Sequence, residues 1–398
     1  MTLTLLLDLD DTLLNTNQPV FIPAYFQALA KELAPQVKPE TMMRALLAGT
    51  NLMNESEDFS RTLKEIFESV FLPQINVPRN QLDPAVENFY DNVFPTLQGL
   101  TSQKPEAKPF VDWAFSRGFR IAIATDPLLP RKATHHRLRW AGFEPEQFEV
   151  VSSYEHFHFS KTHPAYYAEV LGLMGWADGP VLMVGNNMER DILPAQKLGL
   201  ATYYVNGESA PPLGVEARGA LSDLRAWIES ADLAALTPCF KSVDSVLGVL
   251  FATPAAMNGL SCGLDPSVWS HEPAPDEWAL TEVVCHLRDT EREIHHVQIE
   301  LFKEQDEPFI PRPDTSVWAS QRDYLHENGA LALMEFNDAR RETLALLKNI
   351  LAEEWNRKAR HAIFGPTNFL EVVRFIADHD RMHIQQAWSV LTGYRVKN

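Results

Sequence analysis

Cysteine is scarce in this chain, and positive charge is in deficit. The 398 residues include three cysteines, Cys239, Cys262 and Cys285, which form no CxxC pair and no disulfide framework. Lysine and arginine number 35 against 53 acidic residues, and the resulting net charge of -18 would repel polyphosphate backbones. We therefore expect a protein of a reducing cytoplasm that does not bind nucleic acid.

Long apolar runs are also missing. No stretch approaches the roughly 20 apolar residues that a membrane helix needs. The apolar residues at the start have no basic leader and are followed at once by acidic residues, which argues against a signal peptide. We expect no membrane partner, and the length predicts about two or three globular domains.

The strongest chemical pattern lies in the first fourteen residues. An apolar run, Leu3 to Leu7, is followed by the sequence DLDDT, residues 8 to 12. Such a run predicts a buried strand, and Asp8 and Asp10 at its carboxyl end would both project into the crevice where open α/β sheets bind ligands. The two carboxylates would place a nucleophile beside an acid/base. The pattern resembles DxDxT, the first motif of phosphatases in the haloacid dehalogenase superfamily.

The pattern of apolar residues predicts an α/β unit that carries a helical insertion. Residues 18 to 98 have apolar side chains at helical spacing, with helices over Phe21–Leu33, Glu40–Leu52, Phe59–Val70 and Pro84–Leu97. Short apolar runs then alternate with helical patterns, which favours a doubly wound parallel sheet with strands at Phe119–Ala124, Phe148–Ser152, Pro180–Val184 and Ala201–Val205. The helical block would cap the carboxyl edge of this sheet. A surface loop over Gly207–Gly219 and a last helix over Leu221–Ile228 complete the unit.

Three further pieces of sequence follow predicted strands. Thr125 ends one strand, and its hydroxyl and the amides after it could bind a phosphate oxygen. Lys161 precedes a helix and brings a cation to the same edge. Another strand runs into the sequence GNNMERD, residues 185 to 191, which gives a turn followed by Asp191 at a helix start.

The order and placement of these pieces resemble the four motifs of the haloacid dehalogenase superfamily over roughly residues 1 to 230. The resemblance implies that Asp8 attacks phosphorus to form an aspartyl phosphate, and that Asp10 protonates the leaving oxygen and then activates water. Thr125 and Lys161 would hold the phosphoryl oxygens. Asp191 would bind Mg²⁺ together with the Asp8 carboxylate and the Asp10 carbonyl, because a carboxylate approaches a phosphate dianion only where cations neutralise both.

The fourth motif departs from the common pattern, which has an aspartate at one of the two positions after the glycine. Here both are amides, Asn186 and Asn187. An amide oxygen can ligate Mg²⁺ but brings no charge, so we expect weaker metal binding. The pair also leaves an alternative open, in which this unit is a degenerate binding or regulatory module.

Beyond residue 240 the pattern is helical, and it predicts an all-α four-helix bundle. The expected helices are Val243–Met257, Glu277–Phe302, Ala330–Ala352 and Asn368–Leu391. His379 and His383 occupy the apolar stripe of the last helix one turn apart, a spacing suited to a shared metal, and His286 lies in the stripe of the second helix. The alternative is that these are core histidines bonded to neighbouring acids, for example Glu282 or Asp378. His295, His296, His361 and the tryptophans are expected to be surface or packing residues.

This second region, about residues 241 to 398, resembles the DinB family of four-helix metalloproteins. The matching pieces are Trp278 to His286, the turn at residues 365 to 367, and the segment from His379 to His383. The resemblance implies that His286, His379 and His383 bind a divalent transition metal such as Zn²⁺ or Ni²⁺, and that open positions remain for water or substrate.

We therefore predict two domains, residues 1–236 and 241–398. The leading hypothesis is a Mg²⁺-dependent phosphatase of a small phosphorylated metabolite, joined to a three-histidine metal domain. A second alternative puts the principal activity in the bundle, as a metal-dependent thiol transferase or hydrolase. A homodimer is an open option for the assembly.

Overall fold

The computed structural model describes residues 2–176, 178–205, 217–275 and 277–397. The chain divides into two compact units, Met1–Tyr167 with Asp178–Pro238, and Ala168–Ala177 with Cys239–Asn398. The loop expected over Gly207–Gly219 lies outside the described residues up to position 216. Its last three residues, Ala217–Gly219, are a strand.

A parallel sheet of six strands forms the centre of the first unit. Its order is β3-β2-β1-β4-β5-β6, and every pair of neighbours is parallel. The chain adds β2 and β3 on one side of β1 and the other three strands on the opposite side. The ligand crevice is therefore expected at the carboxyl end of β1, where the strand order reverses. The strands are β1 (Thr4–Leu7), β2 (Arg120–Ile123), β3 (Val150–Val151), β4 (Val181–Gly185), β5 (Ala201–Val205) and β6 (Ala217–Gly219).

The burial of the central strands explains why they could be predicted from continuous apolar runs in the sequence. Every residue of β1 and β4 is buried, so both faces of each strand are covered, and the sequences TLLL and VLMVG do not alternate. The predicted doubly wound sheet is confirmed. Two helices of this region, Ala107–Ser116 and Arg131–Trp140, were not among the predicted elements.

Residues 18 to 100 form the predicted helical cap. Its third helix begins at Leu63 rather than at Phe59, because Thr62 and Glu65 close a capping box in which each side chain accepts the backbone N–H of the other. The helix expected over Pro84–Leu97 starts earlier and passes at Phe89 into a π-helical turn and then a 3-10 segment, Phe94–Leu100. The two ends of the cap meet where Leu14–Asn15 pairs antiparallel with Ser102–Gln103.

The helices of the first region are numbered in chain order. The cap contains α1 (Gln18–Leu33), α2 (Pro39–Glu55), α3 (Leu63–Ile75) and α4 (Arg79–Asn88). The helices after it are α5 (Ala107–Ser116), α6 (Arg131–Trp140), α7 (Pro164–Leu173), α8 (Leu193–Leu198) and α9 (Leu221–Ser230).

The second unit contains the predicted four-helix bundle. The helix expected over Glu277–Phe302 starts at Leu280 and is interrupted by a π-helical turn, Glu291–His295. The bundle consists of four helical segments. The second is formed by α11 and, after the π turn, α12. The helices are α10 (Val243–Ser261), α11 (Leu280–Thr290), α12 (His296–Glu304), α13 (Gly329–Leu347) and α14 (Phe369–Lys397).

The expectation that this region is all-α was incomplete. A sheet of three short strands accompanies the bundle: β7 (Phe309–Ile310), β8 (Lys358–His361) and β9 (Gly365–Asn368). The segment expected to be a turn at residues 365 to 367 belongs to β9, which pairs antiparallel with β8. The strands have two to four residues and Gly365-Pro366 opens one of them, so no alternating apolar pattern marked them in the sequence.

Among the described residues one helix, α10, is long and apolar enough to cross a membrane by length and composition. Of the most apolar 18-residue window of this helix, 67% is buried, as in the core helix of a bundle.

Candidate active site and metal centre

The carboxylate of Asp8 lies directly after β1, and two side chains hold it there. Its Oδ1 accepts a hydrogen bond from Lys161 Nζ at 2.8 Å, and its Oδ2 accepts one from Thr12 Oγ1 at 2.8 Å. Lys161 also forms an ion pair with Asp191, and all of these side chains are buried. Residues that are far apart in the sequence therefore meet at the carboxyl edge of the sheet.

The charges at this point do not balance. Burial and the charge of Asp191 raise the pKa of Asp8 to about 7, although Lys161 acts in the opposite direction. Burial also opposes the charge on Lys161, but the carboxylates of Asp191 and Asp8 hold its pKa well above the usual value. Two carboxylates thus share one ammonium group in a buried space, and a bound cation would relieve the excess negative charge.

Asp10 is held by a second cation that the sequence analysis did not identify. Its carboxylate forms an ion pair with the buried guanidinium of Arg137 and accepts a hydrogen bond from Thr16 Oγ1 at 2.7 Å. Arg137 lies on the buried face of α6 with Ala133 and Leu138. The signal available in the sequence was that an arginine, Arg137, occupies a position on the apolar face of a helix.

Thr125 follows β2, and contacts from neighbouring elements fix its backbone. Its carbonyl oxygen accepts hydrogen bonds from Ser152 Oγ at 2.6 Å and from Tyr166 Oη at 2.9 Å. The next residue, Asp126, forms an ion pair with Arg190 and accepts a hydrogen bond from the backbone N–H of Lys161 at 3.3 Å. Burial raises the pKa of Asp126.

The two asparagines occupy different environments. The amide oxygen of Asn186 lies 3.4 Å from Thr12 Oγ1, the hydroxyl that also contacts Asp8. The amide oxygen of Asn187 caps the turn that follows, accepting the N–H groups of Glu189 at 3.0 Å and Arg190 at 3.1 Å. Asn186 is therefore the one with its oxygen beside the Asp8 carboxylate.

Gly185 allows Asp191 to reach the site. A Cβ atom at position 185 would lie 2.4 Å from the Asp191 carboxyl carbon, which is closer than real side chains approach. The Asp191 Oδ2 accepts the backbone N–H of Asn187 at 2.8 Å, and the other oxygen pairs with Lys161. The absence of a side chain at Gly185 thus fixes the position of this carboxylate.

The residues at this edge fit a magnesium ion. Carboxylate and amide oxygens are the donors that Mg²⁺ prefers, and Asp8, Asn186 and Asp191 supply oxygens of this kind. Burial, and after it the charge of Asp191, raises the pKa of Asp8, and a cation bound beside these oxygens would favour the ionised carboxylate. Their roles as ligands, like that of Asn187, stay predictions.

Three imidazoles come together in the second unit. One ring nitrogen from each of His286, His379 and His383 lies within 4.8 Å of the other two. The Nε2 atoms of His286 and His379 are 3.1 Å apart, and the buried Nε2 of His383 has no hydrogen-bond partner among the described residues. Burial lowers the pKa of all three rings, that of His286 to about 3, so they are neutral and available as ligands.

The core-histidine alternative gave two neighbouring acids as examples, and both are engaged elsewhere, although a third acid, Asp380, lies 3.8 Å from His379 Nδ1. Glu282 Oε2 accepts the N–H of Ala279 at 2.8 Å, while Asp378 lies 3.4 Å from Arg381. Three converging neutral nitrogens fit a transition metal that accepts imidazole ligands. The ring of Trp278, expected only to pack, is parallel to that of His383 with centroids 6.0 Å apart.

A buried charged cluster adjoins the histidines. Arg340 is fully buried and donates to both oxygens of Glu291, at 2.7 and 2.8 Å, and to Asp380 at 2.6 Å. His295 Nδ1 lies 3.0 Å from Glu291, and its ring centroid is 5.2 Å from that of His379. Despite burial, Arg340 lowers the pKa of both carboxylates. Arg340 is therefore the shared cationic partner of Glu291 and Asp380.

Both parts of the chain are similar to known proteins. Residues 2–199 match the family model of haloacid dehalogenase-like hydrolases, and residues 251–387 match that of the DinB superfamily. Among curated relatives, pyrophosphatase PpaX of Bacillus cereus (strain AH820) is 27% identical over 203 residues, which are 51% of this chain and 82% of that protein. PpaX of Bacillus thuringiensis (strain Al Hakam) gives the same values, 27% over 203 residues, 51% and 82%.

Solved structures of both kinds are also similar to the chain. The 2-haloacid dehalogenase from Pseudomonas syringae pv. Tomato DC3000 has 21% identity, covers 57% of this chain and 99% of its own, and has a TM-score of 0.43. YfiT from Bacillus subtilis has 18% identity, covers 39% and 87%, and has a TM-score of 0.35. Because these scores are low, the family assignment rests on the sequence matches. The chain joins a haloacid dehalogenase-like hydrolase domain to a DinB superfamily domain.

Proposed function

We propose that residues 1–236 form a Mg²⁺-dependent phosphatase that hydrolyses a small phosphorylated metabolite through an aspartyl phosphate on Asp8. The observation that carries this function is the buried contact of Asp8 with Lys161 at the carboxyl edge of the sheet. The match to a hydrolase family and the pyrophosphatases among the relatives support a phosphorylated substrate. A bundle domain of residues 241–398, a cytoplasmic location and a homodimer stay predictions.

The first step makes the phosphoenzyme. The Asp8 carboxylate attacks phosphorus, the bond from phosphorus to the leaving oxygen breaks, and that oxygen takes a proton from the Asp10 carboxyl group. Lys161 and the Thr125 hydroxyl hold the phosphoryl oxygens. Bound Mg²⁺ would supply the positive charge that lets two anions approach each other.

The second step returns the enzyme to its starting state. Asp10 takes a proton from water, the water oxygen attacks phosphorus, and the bond from phosphorus to Asp8 breaks as phosphate leaves. Arg137 and the Thr16 hydroxyl keep the Asp10 carboxylate in one orientation throughout. Their contacts assign them a positioning role.

Hydrolysis of p-nitrophenyl phosphate and of a panel of phosphorylated metabolites, with and without Mg²⁺, tests this function. We expect turnover that requires Mg²⁺. The rival hypothesis, a degenerate binding or regulatory module, would be supported by no turnover of any ester at any Mg²⁺ concentration, and that result would overturn the phosphatase.

Replacing Asn186 by aspartate is expected to strengthen metal binding. The added charge would lie beside Asp8, so the Mg²⁺ concentration that gives half-maximal activity should fall by about tenfold or more. Asn187→Asp is the matched control, because its side chain caps a turn and aspartate caps equally well. Equal shifts in the two variants, or none in Asn186→Asp, would contradict the assignment of Asn186 as the ligand.

A second candidate function lies in residues 241–398. The three converging histidines favour a metal-dependent thiol transferase or hydrolase, in which His286, His379 and His383 hold a divalent transition metal such as Zn²⁺ or Ni²⁺. Such a metal would supply a Lewis acid with open positions for water or a thiol. Turnover of thiol-containing or hydrolysable substrates that survives Asp8→Asn and is lost on metal removal would support it.

Replacing His379 by alanine should remove the metal. We expect metal analysis of the purified protein to fall from about one transition-metal ion per chain to near zero, since two imidazoles hold such an ion weakly. His326→Ala is the control, because that ring is 75% exposed and pairs only with Asp323 among the described residues. Equal metal content in both variants, or no metal in the unaltered protein, would argue against the site.

A further inference from the structure

The cavity at the Asp8 site extends far beyond the space that a phosphate needs. Its volume is about 460 Å³, within the range of pockets that enclose small organic molecules. Successive turns of α1 line it over roughly 22 Å of helix. These turns contribute Gln18, Ile22, Phe26, Leu29 and Leu33. The cavity is thus elongated and runs from the catalytic carboxylates along the cap.

The wall away from the carboxylates is mostly apolar. Phe67 and Phe71 line it, and their rings are stacked with centroids 4.8 Å apart and an interplanar angle of 22°. The hydroxyls of Tyr25 and Tyr90 also line the cavity, but they lie 2.9 Å apart and hydrogen-bond to each other. A polar substituent placed against these two hydroxyls would therefore compete with an existing bond, whereas an apolar one would replace water at no such cost.

Positive charge is confined to the catalytic end. Among the described residues that line the cavity, the lysines and arginines are Arg137, Lys161 and Arg190. Each is already paired with carboxylate groups, Arg137 with Asp10 and Lys161 with Asp8. Arg190 pairs with Asp126. A second phosphate or a carboxylate at the other end of the cavity would therefore meet no lysine or arginine among the described lining residues.

We infer that the substrate is the phosphate monoester of an apolar alcohol or phenol, whose hydrocarbon body lies along α1 against the stacked rings of Phe67 and Phe71. This inference rests on the phosphatase activity proposed above. The reaction takes up one water, releases the apolar alcohol and inorganic phosphate, and uses no other reactant. Pyrophosphate, which the name of the pyrophosphatase PpaX relatives implies as their substrate, is small and carries negative charge on both phosphoryl groups, so it fits this cavity poorly.

A series of alkyl phosphates from ethyl to hexyl tests the inference on the full-length protein with Mg²⁺. These leaving groups have similar basicity, so the series varies mainly the apolar area that the cavity can bury. We expect kcat/KM to rise by about two- to fourfold per methylene, or at least about 15-fold from ethyl to hexyl. A flat or falling series, or a higher kcat/KM for pyrophosphate than for hexyl phosphate, would overturn it.

A charge placed in the cavity should weaken the preference for the longer alkyl chain. Phe26 is partly exposed and lines the cavity, so we expect Phe26→Arg to lower the hexyl-to-ethyl ratio of kcat/KM by at least about fivefold. Gln27→Arg, at an exposed position of the same helix, is the matched control and should leave the ratio unchanged. An unchanged ratio in Phe26→Arg would count against the inference, and the alkyl series decides it even where that variant does not fold.

Failure of this inference is distinguishable from failure of the proposed function. Asp8-dependent hydrolysis without a rise along the alkyl series would overturn the apolar substrate and leave the phosphatase standing. No Asp8-dependent hydrolysis of any phosphate ester would overturn both.

Discussion

Asp8→Asn is expected to lower kcat for p-nitrophenyl phosphate by at least about 10³-fold, or about 4 kcal/mol of activation free energy. The amide is a poor nucleophile, so it cannot form the acyl phosphate on which turnover depends. The side chains are nearly equal in size, and Lys161 keeps its ion pair with Asp191, so the site should stay folded. Initial rates at saturating Mg²⁺ measure the effect, and thermal unfolding checks the fold.

Asp112→Asn serves as the control for this experiment. That carboxylate is exposed and pairs with Lys108 one helical turn away, outside the cavity, so its loss should leave kcat within about twofold. An Asp8→Asn protein that keeps more than a tenth of the unaltered rate would show that Asp8 is not the nucleophile.

Arg340→Met is expected to have the largest effect on stability. It would leave Glu291 and Asp380 buried without their shared guanidinium, and breaking a buried charged group in this way costs roughly 3–5 kcal/mol of unfolding free energy. Urea denaturation measures the loss. Adding Asp380→Asn to this variant should restore part of the lost unfolding free energy, because one of the two unpaired buried carboxylates is then replaced by a neutral amide.

The neighbouring Arg341 provides the comparison. Its side chain is 52% exposed and contacts Asp338 at 2.7 Å, so Arg341→Met should cost less than about 1 kcal/mol. Equal losses for Arg340→Met and Arg341→Met would mean that the buried cluster contributes little to stability.

The sequence predicted the centre of the first unit well because its signal is local. The strand at Ala201–Val205 has the predicted limits, the one at Thr4 begins one residue later than predicted, and the one at Val181 is shifted by one residue. Strands buried on both faces are continuous apolar runs, and polar residues mark where they end. Asp8 and Lys161 could be placed at one edge in advance because each follows a predicted strand and the motif order indicated a shared edge.

The missed features depend on partners that are distant in the chain. The strand Ala217–Gly219 has three residues, which is too few for a periodic pattern. It is recognised as a strand from its parallel pairing with β5. Nothing near Arg137 in the sequence indicates that its partner is Asp10, 127 positions away. The π-helical turn at Glu291–His295 lies within an unbroken helical pattern, and only the structure reveals that Glu291 thereby meets Arg340.

The close approach of Asp191 to Gly185 has a consequence for how these two positions can change in evolution. The residues before Gly185 in the strand are buried and apolar, and another apolar side chain of similar volume can replace any of them. At position 185 even a methyl group would collide with the carboxylate. Selection therefore keeps glycine at position 185 for as long as Asp191 is needed at the active site. If catalysis were lost and Asp191 were substituted, the constraint on position 185 would also be lost, and we expect the two positions to change together.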